Sequence, residues 1–262
     1  MTNPLSRAWI AVCSAVYLAF LVVTVVPYAL GVIAWSWLPQ EQRYWMATWW
    51  CKLAIWGARR ICGIRYRIEG WENLPQGPAV LLPKHQSAWD TLWLPATMPR
   101  KLTFVYKREL HRVPFFGWAL ATLGMINIDR SKGQTAFEQV LEQGAALLRD
   151  DWWIVIFPEG TRTPPGSNKR YKTGGVRLAV RTGAPVVPIA LNSGECWPRK
   201  AFLKKPGEVT VSIGAAIPTA GRTDRDIAPL VEAWIETEMR RLAPHRYSGP
   251  YEAAAQPEAE SD

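Results

Sequence analysis

Residues 8–40 carry no charged side chain, and the apolar core of this run, residues 9–38, exceeds the ~20 residues needed to cross a bilayer. Pro27 and Gly31 stand mid-run, which leaves two geometries open: a bend into two short arms that dip into the membrane and return, or a span. Residues 41–62 read as a further helix. Trp45, Trp49, Lys52 and Trp56 are spaced three or four apart, either as an interfacial face or as the core face of an ordinary helix. Beyond Gly63 the pattern changes. Short apolar or β-branched runs at 64–68, 79–82, 102–106, 125–128, 153–157, 186–191 and 209–213 read as strands. Helical periodicity covers 88–97, 114–123, 134–149, 174–183 and 224–242. This alternation predicts an α/β fold: a single domain over 63–245, with a central, largely parallel or mixed sheet flanked by helices. A membrane-associated helical segment, 1–62, precedes it, and residues 246–262 are expected to form a disordered acidic tail.

Composition adds partners to this outline. The 262 residues carry a net charge of +9 and 15 tryptophans, a combination suited to an anionic lipid surface. Arg43, Lys52, Arg59, Arg60, Arg65 and Arg67 follow the apolar run and only Arg7 precedes it, so the basic side is expected to face the cytoplasm. The cations are spread along the chain without a nucleic-acid motif, which speaks against a nucleic-acid partner. Cys13, Cys51, Cys62 and Cys196 show no C-x-x-C spacing and no accompanying histidine pair; reduced thiols are expected and a metal site is not. Neither G-x-S-x-G, a P-loop nor H-E-x-x-H occurs, which disfavours serine-esterase, nucleotide-dependent and zinc-protease chemistry.

Open α/β sheets build their sites in loops beyond the carboxyl ends of strands. His85-Gln86-Ser87-Ala88-Trp89-Asp90 follows one such strand, and Phe157-Pro158-Glu159-Gly160-Thr161-Arg162 another. Lys107 and Arg130 close two more. An imidazole exchanges protons near neutral pH, and a carboxylate can hold it in one tautomer. Ser87-x-x-Asp90 is also a capping box, so Asp90 has a purely structural reading beside the chemical one. Arg162 offers a planar fork of donors for phosphate, and Gly160 permits close backbone approach; a tight turn with an internal ion pair is the plain alternative.

Taken together and in order, these blocks resemble the 1-acylglycerol-3-phosphate acyltransferase family. The matching stretches are Lys84-His85-Gln86-Ser87-Ala88-Trp89-Asp90, Gly124-Met125-Ile126-Asn127-Ile128-Asp129-Arg130, Phe157-Pro158-Glu159-Gly160-Thr161-Arg162 and Val186-Val187-Pro188-Ile189-Ala190-Leu191. Lys84 stands where many members have asparagine, and Asn127 where many have phenylalanine.

The resemblance implies an acyltransferase domain that moves an acyl group from an acyl thioester, acyl-CoA or acyl-carrier protein, to lysophosphatidic acid, giving phosphatidic acid. It implies His85 as general base, Asp90 orienting it, and Glu159, Gly160, Thr161 and Arg162 on the acceptor phosphate, with Lys107 and Arg130 adding charge. No cofactor and no metal are implied. The expected place is a membrane, inner or plasma, with the catalytic domain facing the cytoplasm. Two other readings stay open: the same chemistry on glycerol-3-phosphate or a lyso-aminolipid, and a non-catalytic membrane protein that binds anionic lipid.

Overall fold

The computed structural model describes residues 4–128, 133–167 and 169–252. Its first element, α1 (Pro4–Ala34), is one unbroken helix with Pro27 inside it. Of the two geometries left open, reversal at Pro27 and Gly31 does not occur. The proline forfeits one intrahelical bond and the helix runs on for two more turns. Reversal falls at 35–39, where extended Pro39 leads into α2 (Gln40–Cys62); Gly63, in the left-handed region at φ 69°, closes that helix.

The two helices form an antiparallel hairpin. Tyr17 Oη donates to the Ala54 carbonyl at 2.9 Å, and Trp50 Nε1 donates to Thr24 Oγ1 at 3.1 Å. Gly57 permits the close approach, since a Cβ there would stand 2.6 Å from Phe20. One face of α2 (Tyr44, Ile55, Ala58, Cys62) joins the same apolar core as the sheet. Trp49 and Trp56 face outward at 61% and 51% exposure, with the Lys52 ammonium 4.7 Å above the Trp49 ring. The tryptophan stripe thus splits: Trp45 packs inward and its neighbours do not. On α1, Leu5, Trp9, Val12, Val16, Val22 and Val23 are exposed.

The sheet holds β1 (Ile64–Glu69), β8 (Gly207–Ile213), β7 (Val186–Leu191), β2 (Val80–Pro83), β6 (Trp153–Val155) and β3 (Leu102–Phe104), in that spatial order. All neighbours are parallel except β7 and β8, so the sheet is mixed, as expected. β2, β6 and β7 are buried along their whole length, which explains their uninterrupted apolar runs. Edge strand β1 instead exposes Arg65, Tyr66 and Arg67.

Helices α3 (Ala88–Thr97), α5 (Gly133–Arg149), α6 (Gly174–Thr182) and α7 (Asp224–Leu242) match the helical periodicity to within a residue or so. The region between β3 and α5 departs from expectation. Residues 102–106 do not form one strand: the chain leaves the sheet at Val105, and β4 (Tyr106–Lys107) pairs with β5 (Asn127–Ile128) in a separate parallel ribbon. The expected helix over 114–123 shortens to α4 (Phe116–Thr122), after a tight 3-10 turn over Arg108–Arg112 and a left-handed Phe115 at φ 60°.

Within the expected tail, Tyr247 and Tyr251 seat against α7 beneath the Arg240 guanidinium. Residues 253–262 lie outside the described residues. Because β2, β3, β6 and β7 run the same way, the loops after them (from residues 84, 105, 156 and 192) leave one edge of the sheet together.

Candidate active site

The segment from Lys84 to Ser87 connects β2 to α3 without secondary structure of its own, and side chains accept from the backbone N–H groups of His85, Gln86 and Ser87. Ser87 caps α3 in extended conformation and accepts from the Trp89 amide at 3.1 Å. Asp90 completes the capping box. Its Oδ2 accepts from the backbone N–H of Ser87 at 2.9 Å and of Gln86 at 2.8 Å.

The same oxygen lies 2.9 Å from His85 Nδ1, and Oδ1 accepts from Ser193 Oγ at 2.5 Å. The cap and the contact with His85 are therefore made by one and the same oxygen. An oxygen already facing two fixed N–H donors requires the hydrogen of the third contact to sit on Nδ1. The lone pair then belongs to Nε2. The imidazole is 8% exposed and stacks on Phe157 with centroids 3.7 Å apart.

The loop after β6 holds the His85 backbone on both sides. Glu159 Oε1 accepts from the His85 amide at 3.1 Å, while the His85 carbonyl accepts from Thr163 N at 2.8 Å and Thr163 Oγ1 at 3.1 Å. Glu159, expected on the acceptor phosphate, is fully buried 3.4 Å from the Lys84 ammonium and is not among the residues that line the cavity beside His85. Burial pushes its pKa up, and the charge of Lys84 and the N–H contacts oppose that rise.

Gly160, Thr161 and Arg162 do line the cavity, together with the His85 ring. Partial burial lowers the Arg162 pKa, opposed by the charge of Asp90 and aided by Arg199; a guanidinium stays protonated regardless. The side chain of Lys107 and the whole of Arg130 lie outside the described residues, so neither joins this account. Among the described residues, no three His, Cys, Asp or Glu side chains gather as a metal site.

The cavity encloses about 650 Å³. Its lining includes His85, Arg162, Arg199 and Lys200 beside apolar side chains of the helical hairpin, α3 and α4: Val25, Ala29, Val32, Ala47, Leu92, Leu120 and Leu123. One cavity thus presents cations, the imidazole and a largely apolar wall together.

The motif reading did not anticipate Ser193, Thr163, Phe157, Arg199 or Lys200. Ser193 had a usable signal, since Asn192-Ser193-Gly194 follows the carboxyl end of β7. Arg199 and Lys200 lie in an irregular stretch whose position depends on the fold.

A family profile described as "Acyltransferase" matches residues 65–192. A 1-acyl-sn-glycerol-3-phosphate acyltransferase of Pseudomonas aeruginosa is 46% identical over 211 residues, 79% of this chain and 82% of the relative. The human 1-acyl-sn-glycerol-3-phosphate acyltransferase beta is 31% identical, covering 74% of this chain and 70% of the relative. In fold, the chain is similar to the crystal structure of the 1-acyl-sn-glycerophosphate acyltransferase PlsC from Thermotoga maritima. The TM-score is 0.74 at 22% identity, with 88% of this chain and 95% of that one covered. With the His85–Asp90 loop and the Phe157–Arg162 loop meeting at one sheet edge, inside the stretch the profile matches, the chain belongs to the 1-acyl-sn-glycerol-3-phosphate acyltransferase family.

Proposed function

We propose that this acyltransferase moves a fatty acyl group from an acyl thioester to the free hydroxyl of 1-acyl-sn-glycerol-3-phosphate, giving phosphatidic acid. The observation that carries this reading is an imidazole oriented by Asp90 in a cavity lined by both cations and apolar side chains. A lipid with a phosphate head and an acyl chain suits both kinds of lining.

His85 Nε2 takes the proton of the acceptor hydroxyl as its oxygen attacks the thioester carbonyl. The tetrahedral adduct collapses with cleavage of the carbon–sulfur bond, and the imidazolium returns the proton to the departing thiolate. Asp90 holds the ring and offsets its positive charge. Arg162, Arg199 and Lys200 receive the phosphate.

The acid test is the protein in detergent with acyl-CoA and lysophosphatidic acid, following thiol release and phosphatidic acid together. Product with matching thiol release is expected. Transfer to glycerol-3-phosphate in preference would redirect the acceptor assignment, and transfer only from acyl-carrier protein would fix the donor.

Arg162→Ala is expected to raise the acceptor KM roughly 10- to 100-fold with kcat little changed, the size of a lost charge-assisted contact. An unchanged KM removes Arg162 from the phosphate site. Ala47→Trp fills part of the cavity between the hairpin and α3. Competition between short- and long-chain thioesters is expected to move about tenfold toward the short chain. Unaltered selectivity would place the acyl chain elsewhere.

The hairpin is proposed to seat the enzyme in one leaflet rather than to span the bilayer. α1 is long and apolar enough to cross. Yet its first half is tied to the catalytic body: Ser14 Oγ accepts from the Lys204 amide at 2.9 Å, and Tyr17 packs edge-on against Trp197. The exposed flank carries Trp9, Trp49 and Trp56, residues suited to the headgroup boundary. The basic body then faces the cytoplasm, where the thioester donor arrives.

A further inference from the structure

Behind the imidazole lies a buried charge cluster that the reaction above does not use. Lys84, adjacent to the proposed base, is fully buried at the end of β2. Its ammonium donates to Glu236 Oε1 of α7 at 2.6 Å and lies 3.4 Å from Glu159 Oε1. Tyr171 Oη, 3.3 Å from the ammonium, donates to the same Glu236 oxygen at 2.9 Å.

The two carboxylates are not equivalent. Glu236 has a second cation, Arg240, at 3.3 Å. Among the described residues, Glu159 has only Lys84 within ion-pair distance, and its Oε2 makes no hydrogen bond there. Burial alone would lower the Lys84 pKa, but the charges of Glu159 and Glu236 and the Glu236 hydrogen bond turn the net shift upward. The ammonium thus stays charged although fully buried, and Glu159 leans on it. Glu159 in turn accepts the His85 amide, on the strand-end loop that sets where the imidazole stands.

We propose that Lys84 is a positioning residue for the reaction: its ammonium holds the Glu159 carboxylate in place, and Glu159 holds the His85 backbone. The proposal rests on His85 being the base. Removing Lys84 strands a buried anion, which must take up a proton or turn toward solvent, and either outcome weakens the acceptor facing the His85 amide. Glutamine at 159 escapes this requirement, because its neutral Oε1 can accept the same N–H without a cation. The double replacement also deletes one positive and one negative charge, leaving Glu236 with Arg240, so the cluster remains balanced.

The test compares wild type, Lys84→Met, Glu159→Gln and Lys84→Met/Glu159→Gln in detergent, with kcat and both KM values from thiol release. Hydrogen exchange of peptides covering residues 84–90 is read by mass spectrometry on the same samples. Lys84→Met is expected to lower kcat about 10²-fold, the cost of misplacing a catalytic group by roughly 1 Å, with both KM values nearly unchanged and faster exchange of the peptide. Adding Glu159→Gln is expected to restore much of the rate and to slow exchange again.

Wild-type kcat in folded Lys84→Met overturns the proposal. So does a raised acceptor KM at unchanged kcat, or a double variant slower than Lys84→Met. A wild-type chain that transfers no acyl group overturns the functional reading instead. In that case exchange decides alone: quickening in Lys84→Met and recovery in the double variant support the proposal, and unchanged exchange overturns it.

Discussion

His85→Ala is expected to lower kcat by ~10²–10⁴-fold or more, with the fold retained and both KM values near wild type. Nε2 is the one imidazole nitrogen left with a lone pair once Nδ1 donates to Asp90, and His85 lines the cavity. The charged groups that line it with His85 cannot take a hydroxyl proton, because Arg162, Arg199 and Lys200 are cations. The structural cost is small by comparison. Asp90 keeps three donors, from Gln86, Ser87 and Ser193, so no buried charge is orphaned. Removal of the ring only enlarges a space that already exists. Thermal unfolding beside thiol release separates the two effects. A folded His85→Ala protein with wild-type turnover would end the proposed mechanism.

The second large effect concerns Asp90, where asparagine and alanine are expected to part ways. In Asp90→Asn, the Gln86 and Ser87 amides demand an acceptor at the Oδ2 position, so the amide oxygen must take that place. The new NH₂ then faces Ser193 Oγ, which can accept. His85 keeps its partner and its tautomer, and only the negative charge is lost. Loss of a carboxylate beside a developing imidazolium costs about 10–10³-fold in kcat, with little change in stability.

Asp90→Ala removes charge, orientation and cap together. Its kcat is expected to fall further, toward the His85→Ala value. The missing cap costs about 1–2 kcal/mol, visible as a lower unfolding midpoint. Equal kcat and equal stability for the two variants would show that the carboxylate neither caps nor orients. Combining His85→Ala with Asp90→Asn should cost little beyond His85→Ala alone, since the carboxylate acts through the ring.

Much of this chain is legible by eye because its signals are local. Helix α7 runs from Asp224 to Leu242, as periodicity predicts, and its start follows from a capping box whose partners, Thr223 and Asp226, are three positions apart. Strand β7 reads as continuous apolar residues because it is covered on both faces. The His85–Asp90 pair is legible for the same reason: one cap brings residues five apart into contact. Rules that act within a turn of helix or along a strand need no knowledge of the fold.

The rest depends on contacts between distant positions. Ser193 meets Asp90 across 103 residues, and Lys84 meets Glu236 across 152, only because β7 and α7 pack where they do. Glu159, beside Gly160 in the sequence, could face the cavity or the interior; the hydrogen bond to the His85 amide turns it inward. The reversal of the hairpin at 35–39 rather than at Pro27 is decided likewise, by Tyr17, Phe20 and Thr24 finding Ala54, Gly57 and Trp50 on α2. The sequence by itself determined most of the elements and the pairing of His85 with Asp90, because their physics is short-ranged. Only the tertiary structure decided which charges are buried, which line the cavity, and what holds the imidazole in place, because those depend on which strand ends and helix faces become neighbours.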